Sequence, residues 1–307
     1  MSRRSVVCTR DRVAGAGYAC SARPDLHTVC RSFHKISSAL SAKVRGGSRS
    51  AKILIQVSLA KVCGGSLIQA LSSKFPFDVI ETGEVVPEKN VNRSPVQPGY
   101  SIGHVKATAG TLGAVVVRSK KQYLLLSNSH VLAESGTAKK GDKILYPGRS
   151  DTGKDPKDVV GKLDRFKKFA KGGAYVNKVD CATARFNGTR KLKSGIKKLG
   201  IPKGTGKAAL GMTITKTGRT SHTTTGRVIG LAARLRIQYT GVGKVGFRDQ
   251  VLCTRYSKPG DSGSLVLDKK TKRAVGLHFA GGPKGSFFNP ISEVLRALRI
   301  VLVKKSI

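Results

Sequence analysis

Tryptophan is absent from the chain, methionine occurs twice, and only 17 of 307 residues are acidic against 57 lysines and arginines. Aromatic residues make up 6%, too few to interleave a basic stripe with the stacking rings that nucleic-acid binders use. No apolar run approaches the roughly 18–20 residues of a membrane-spanning helix, which excludes a helical membrane protein. The six cysteines, at 8, 20, 30, 63, 181 and 253, form no Cys-x-x-Cys pair and no Cys/His cluster at zinc spacing. Neither a metal nor another cofactor is therefore expected. Glycine is frequent but follows no period, and no heptad recurs, which excludes collagen, coiled-coil and repeat architectures. The N-terminus also lacks the roughly 7–15-residue apolar run of a secretory leader. Reduced thiols and an intracellular location are the expectation.

What the chain does have is a 39% hydrophobic fraction, enough for a core, and a formal charge of +40. Its length suits one or two domains of about 100–200 residues. Residues 1–75 hold 13 Lys+Arg but only Asp11 and Asp25, with abundant Ser, Gly and Ala. This composition predicts a basic, poorly ordered extension, with a short helix or strand near 52–71. The same bias fits an organellar transit peptide, the alternative compartment.

From residue 76 to 307 the pattern is that of one domain built from short strands. Val115-Val116-Val117, Tyr123 to Leu126, Lys143 to Tyr146, Asp158 to Val160, Met212 to Thr215, Arg227 to Ile229 and Leu235 to Tyr239 are β-rich and bounded by turn residues. Gln250 to Leu252, Leu265 to Leu267 and Ala274 to Leu277 continue the rhythm. An all-β, antiparallel barrel or sandwich architecture is predicted. A Lys/Gly-rich loop around 188–208 divides two lobes, about 100–190 and 205–290. One helix is predicted over 290–303, opened by Asn289-Pro290, capped by Ser292, with Val294, Leu295, Leu298 and Val301 at helical spacing.

Chemistry concentrates in Lys258-Pro259-Gly260-Asp261-Ser262-Gly263-Ser264. A serine between glycines can be approached closely by a carbonyl carbon, and the N–H groups of Gly260 and Ser262 can face an oxyanion together. The same residues also form ordinary hairpin turns. Serine needs a base. Of six histidines, His130 ends the run Leu124 to Leu132 where a buried strand meets a polar turn. A third member would be a carboxylate holding that imidazole. Asp180, entering a strand among small apolar neighbours, reads as partly buried, whereas Asp142, Asp151, Asp155, Asp158 and Asp164 read as solvated.

The order His130, Asp180, Ser262 and the flanking motifs resemble the chymotrypsin-fold (trypsin-like) serine endopeptidases, bacterial-type members above all. The resemblance covers roughly residues 100–303. Leu210 to Gly226 is similar to the first hairpin of that family's second lobe, and Phe288-Asn289-Pro290-Ile291 to its ending. The resemblance implies two six-stranded antiparallel barrels with a cleft between them. It implies Ser262 as nucleophile, His130 as base, Asp180 as its orienting partner, and Gly260 with Ser262 as the oxyanion hole, with Asp261 pinning the loop. Departures are visible as well. No activation sequence stands ahead of the first barrel and the family's extracellular disulfides are not evident. Tyr256 stands where trypsin has an aspartate, so cleavage after Lys or Arg is not implied. His278 lies on the strand that walls the primary pocket, where similar Glu- and Gln-cleaving proteases place a histidine. A preference for Glu or Gln before the scissile bond is the expectation, with a histidine packed for structure as the alternative.

The positive field is global: residues 1–75 carry +11 of the +40. It favours non-specific association with nucleic acid or other polyanions. Two readings rival a protease acting on protein or peptide substrates. One is a catalytically idle module of the same fold that binds polyanions. The other is a protease that mainly processes itself.

Overall fold

The computed structural model describes residues 4–8, 55–57, 77–81, 90–118 and 122–307. The chain divides into two compact units, Met1–Pro87 and Glu88–Ile307. In the first, β1 (Arg4–Cys8), β2 (Ile55–Val57) and β3 (Phe77–Glu81) pair in parallel in the order β2-β1-β3. β2 falls where a short element was expected; apart from β1 and β2, the 1–75 extension lies outside the described residues.

In the second unit, β4 (Ser101–His104), β5 (Gly110–Thr111), β6 (Ala114–Val117), β7 (Tyr123–Ser127), β8 (Lys143–Leu145), β9 (Val159–Phe166) and β10 (Ala182–Phe186) build the first lobe. Their order, β6-β7-β10-β9-β8-β4-β5, begins and ends on two halves of one bent strand. At the bend Leu112 N–H donates to the Tyr100 carbonyl at 2.9 Å, on the β4 side, and Gly113 N–H to the Leu126 carbonyl at 2.9 Å, on the β7 side. The sheet thus closes on itself as an antiparallel barrel. Leu112, Leu125, Leu132, Ile144, Tyr146 and Val160 fill it, all fully buried.

The second lobe is a closed barrel of β11 (Thr213–Gly218), β12 (His222–Tyr239), β13 (Gly243–Cys253), β14 (Leu265–Asp268), β15 (Ala274–Gly282) and β16 (Gly285–Pro290), in the order β11-β12-β13-β16-β15-β14. The runs at 227–229 and 235–239 belong to one 18-residue strand, β12. Register shifts between Val228 and Leu235 interrupt its pairing, and Ala232 turns to a φ of 53°. A bulge breaks the two-residue alternation, which is why one strand reads as two.

A one-turn helix α1 (Ser129–Leu132) follows β7, and α2 spans Ile291–Leu298, shorter than the predicted 290–303. Pro290 stands at the N-cap, so Ser292 lies inside the first turn and is not the cap. Arg299 turns left-handed, and Val301–Leu302 leave as β17, antiparallel to β6. Apolar spacing at 294, 298 and 301 suits a longer helix, but the open edge of β6 takes Val301 instead. Val294 and Leu298 of α2 pack in the seam with Val116, Leu124 and Leu126 of the first lobe and Leu265 and Leu277 of the second. Each such side chain stabilises the fold by about 1.5–3 kcal/mol when fully buried, so the lobes share a core.

Three carboxylates expected in solvent are buried: Asp151, Asp158 and Asp164. Arg219 Nη1 donates to both oxygens of Asp151, at 2.7 and 2.5 Å, across the two lobes. Arg190 meets Asp158 at 2.9 Å and Arg118 meets Asp164 at 2.8 Å. Each arginine replaces the water that a solvated carboxylate would have used. Among the described residues no helix is long and apolar enough to cross a membrane.

Candidate active site

β7 ends where three buried leucines give way to Ser127-Asn128-Ser129, and α1 carries His130 at the barrel rim. Asp180, just ahead of β10, is fully buried. Its Oδ1 accepts the N–H of Ser129 at 2.7 Å and of His130 at 3.2 Å. Its Oδ2 accepts Nδ1–H of His130 at 2.5 Å and the Tyr239 hydroxyl at 2.9 Å. Four donors satisfy both oxygens, as a buried carboxylate requires. With the ring proton on Nδ1, Nε2 is left as the acceptor. The backbone of Asp180 is held too: its N–H donates to Asn289 Oδ1 at 3.0 Å and its carbonyl accepts Asn128 Nδ2 at 2.7 Å.

Ser262 comes from the second lobe, on the loop between β13 and β14. Gly260 and Gly263 take φ of 97° and 94°, values open to glycine and costly for other residues. Thr111, from the first barrel's bend, clamps the loop. Its hydroxyl donates to the Gly260 carbonyl at 3.0 Å and its N–H to the Ser262 carbonyl at 2.8 Å. A Cβ at Gly110 would collide with both the Val131 side chain and the Ser262 carbonyl, so the serine loop sits against the residue after His130. The Ser262 hydroxyl donates to the Phe279 carbonyl at 3.5 Å and makes no hydrogen bond to His130. Among the described residues the N–H groups of Gly260 and Ser262 have no protein acceptor.

Two antiparallel barrels that bring a histidine and aspartate from one lobe to a serine loop from the other decide the architecture. The fold is chymotrypsin-like. No protein-family model and no curated protein matches the sequence. Among solved structures the chain is similar to protease A of Thermobifida fusca, at 18% identity over 68% of this chain and 99% of that one, TM-score 0.49. It is similar to a chymotrypsin of Cellulomonas bogoriensis at 17% identity, 68% and 99% coverage, TM-score 0.47. A glutamic-acid-specific serine protease, described as using a histidine triad in substrate binding, is 18% identical, with 68% and 100% coverage and TM-score 0.49.

In this chymotrypsin-like fold Asp261 is fully buried and meets Lys216 Nζ, equally buried, at 2.9 Å. Burial works to raise the Asp261 carboxyl, but Lys216 and hydrogen bonds from Ser221 and the Lys258 N–H hold it below its ordinary range. Burial pulls the Lys216 ammonium down, and Asp261 restores it only in part. Because Asp261 Oδ2 also accepts the Lys258 N–H at 2.8 Å, the pair pins the loop that presents Ser262. Lys216 escaped the sequence reading. Strand alternation does place it on the face of Ile214, which points into the core, and that was the available signal.

His278 is buried on β15, and its Nδ1 lies 3.1 Å from the Tyr256 hydroxyl, with the rings edge to face at 5.3 Å. Burial, reinforced by the Lys216 charge, pushes the His278 imidazole down to about 3, so it is neutral near pH 7. Burial raises the Tyr256 phenol well above its ordinary value, so it keeps its proton; with that O–H donated to Nδ1, the ring proton lies on Nε2. A backbone hydrogen bond with Phe287 works weakly against the lowering of His278.

Below its ordinary value of 6.5, His278 refuses a proton that the unfolded chain binds, down to about pH 3. Its stabilising share is therefore complete above pH 6.5 and declines as the pH falls. Between pH 6.5 and 4.5 the wild type is expected to lose about 2 kcal/mol more than His278→Gln. Urea titrations at the two pH values check this, and parallel losses would refute it.

Proposed function

We propose that the chain is a serine endopeptidase, with Ser262 as nucleophile, His130 as general base and acid, and Asp180 as the group that orients His130. The observation that supports this best is the His130 ring held by buried Asp180 beside a serine loop whose Gly260 and Ser262 N–H groups have no acceptor among the described residues. In the proposed reaction the Ser262 hydroxyl turns from the Phe279 carbonyl toward His130 Nε2. Such bonds are often long in free enzymes and form with substrate.

The Ser262 oxygen then attacks the scissile carbonyl carbon while its proton passes to His130 Nε2. The negative charge gathers on the carbonyl oxygen, facing the two N–H groups, and the imidazolium is stabilised by Asp180. His130 returns the proton to the leaving amine as the C–N bond breaks, leaving an acyl group on Ser262. A water molecule, deprotonated by His130, releases the acid and restores the serine.

Labelling by a fluorophosphonate probe tests the reading directly. The folded wild-type chain should label. No labelling would bring forward the idle, polyanion-binding reading, to which the +40 charge lends itself. Intact mass after purification separates a stable chain from one that processes itself.

The finer reading is a preference for Glu or Gln before the scissile bond. A neutral imidazole with its proton on Nε2 donates to a side-chain oxygen, whether amide or carboxylate, without demanding charge. Tyr256 would hold that tautomer. In a peptide library Glu and Gln should be cleaved at least about tenfold better than Lys, Arg or Leu at that position. Cleavage without regard to that residue would sink the preference and leave His278 as a packing residue, a role its burial also suits.

A further inference from the structure

We propose that Tyr239 is a positioning residue, delivered from the second lobe to hold Asp180 and, through it, the ring of His130. The inference rests on the protease reading above and extends it to a residue outside the three named there.

Among the described residues, three of the four hydrogen bonds on the Asp180 carboxylate come from Ser129 and His130, in the first lobe. The fourth, from the Tyr239 hydroxyl at 2.9 Å, crosses from β12. Oδ2 is the shared atom, since it receives both Tyr239 and the His130 ring. Without the phenol, that oxygen would keep an unsatisfied lone pair in a buried site, and the carboxylate could turn about its side chain. With it, both oxygens are fixed and the His130 N–H has one direction in which to point.

Tyr239 is itself well held. It is 7% exposed, its ring lies 4.9 Å from that of Phe169 and 6.3 Å from that of Phe247, and the His130 ring is 5.7 Å away. Burial first, and the neighbouring Asp180 charge second, raise its phenol well above the ordinary value, so the O–H is present to donate. The position also ends β12 at the tip of the long β12–β13 hairpin, where Val242 N–H donates to the Tyr239 carbonyl at 3.2 Å. The hairpin therefore does more than complete the second barrel: its tip reaches the histidine–aspartate pair of the other lobe.

Tyr239→Phe removes the hydroxyl and keeps the ring among its aromatic neighbours. Full-length wild type and variant are compared through the low-field proton resonance of His130 Nδ1–H, assigned by its loss in His130→Ala, and through steady-state kinetics. In Tyr239→Phe the resonance should move further downfield, because Oδ2 then serves a single donor. The kcat should fall about tenfold with KM little changed. Phe169→Leu, which loosens the same cluster but keeps the hydroxyl, should leave the resonance in place. An unmoved resonance in Tyr239→Phe, an equal movement in Phe169→Leu, or an unchanged kcat in an active enzyme overturns the inference. A wild type without peptidase activity would instead overturn the protease reading, and the resonance would still decide what Tyr239 does to the pair.

Discussion

Ser262→Ala and His130→Ala should each lower peptide hydrolysis by about a million-fold, and the double variant by no more than either alone. The expectation follows from the two side chains acting as a unit: without Nε2 the hydroxyl keeps its proton, and without the hydroxyl the base has nothing to activate. Asp180→Asn should cost about ten-thousand-fold. Its amide would offer an N–H where Oδ2 now accepts one, driving the His130 proton to Nε2 and closing the acceptor that the serine needs. Ser262→Ala should leave the fold intact, since among the described residues its hydroxyl makes only the 3.5 Å contact to the Phe279 carbonyl. Rate measurements on purified variants, with circular dichroism to verify folding, settle the matter. Substantial hydrolysis by Ser262→Ala would place the nucleophile elsewhere.

Lys216→Met carries the second large effect, on stability and activity together. It would leave the Asp261 charge fully buried without its counter-ion, a change that typically costs about 3–5 kcal/mol. Asp261 also organises Thr220, Ser221 and the Lys258 N–H around the serine loop. Loss of fluorophosphonate labelling should therefore accompany the loss of stability. Lys216→Met combined with Asp261→Asn should recover part of the stability, because the buried charge is gone, without recovering full labelling. Urea unfolding of the three proteins reads the first effect. A loss below about 1 kcal/mol in Lys216→Met would show that the pair contributes little.

The strands, the step from strand to polar turn at His130 and the tight loop at Ser262 were legible because each is a local signal. Leu124 to Leu126 running into a polar turn marks a strand meeting a loop, and glycines flanking Ser262 mark a tight loop, without knowledge of any distant residue. The buried ion pairs were not legible for the converse reason. Asp151 looks solvated until Arg219, 68 positions away, is folded against it. Lys216 and Asp261 are 45 apart, and Asp180 and Tyr239 are 59 apart. Composition and periodicity say which face a residue occupies, and they are silent on which remote charge will meet it there. The end of α2 failed differently: the apolar spacing suits both a longer helix and a short strand, and only the free edge of β6 chooses between them.

That edge has a consequence for how the protein is made. β6 belongs to the first lobe, yet its partner β17 is residues 301–302, beyond the whole of the second lobe. On the ribosome the first barrel can assemble early, but one side of Val116 and Val117 stays without its partner until the whole of the second lobe has been synthesised. During that interval the row of unpaired N–H and C=O groups is open to pairing with another nascent chain. β17 therefore also acts as a timing device, because its arrival closes that edge to other chains.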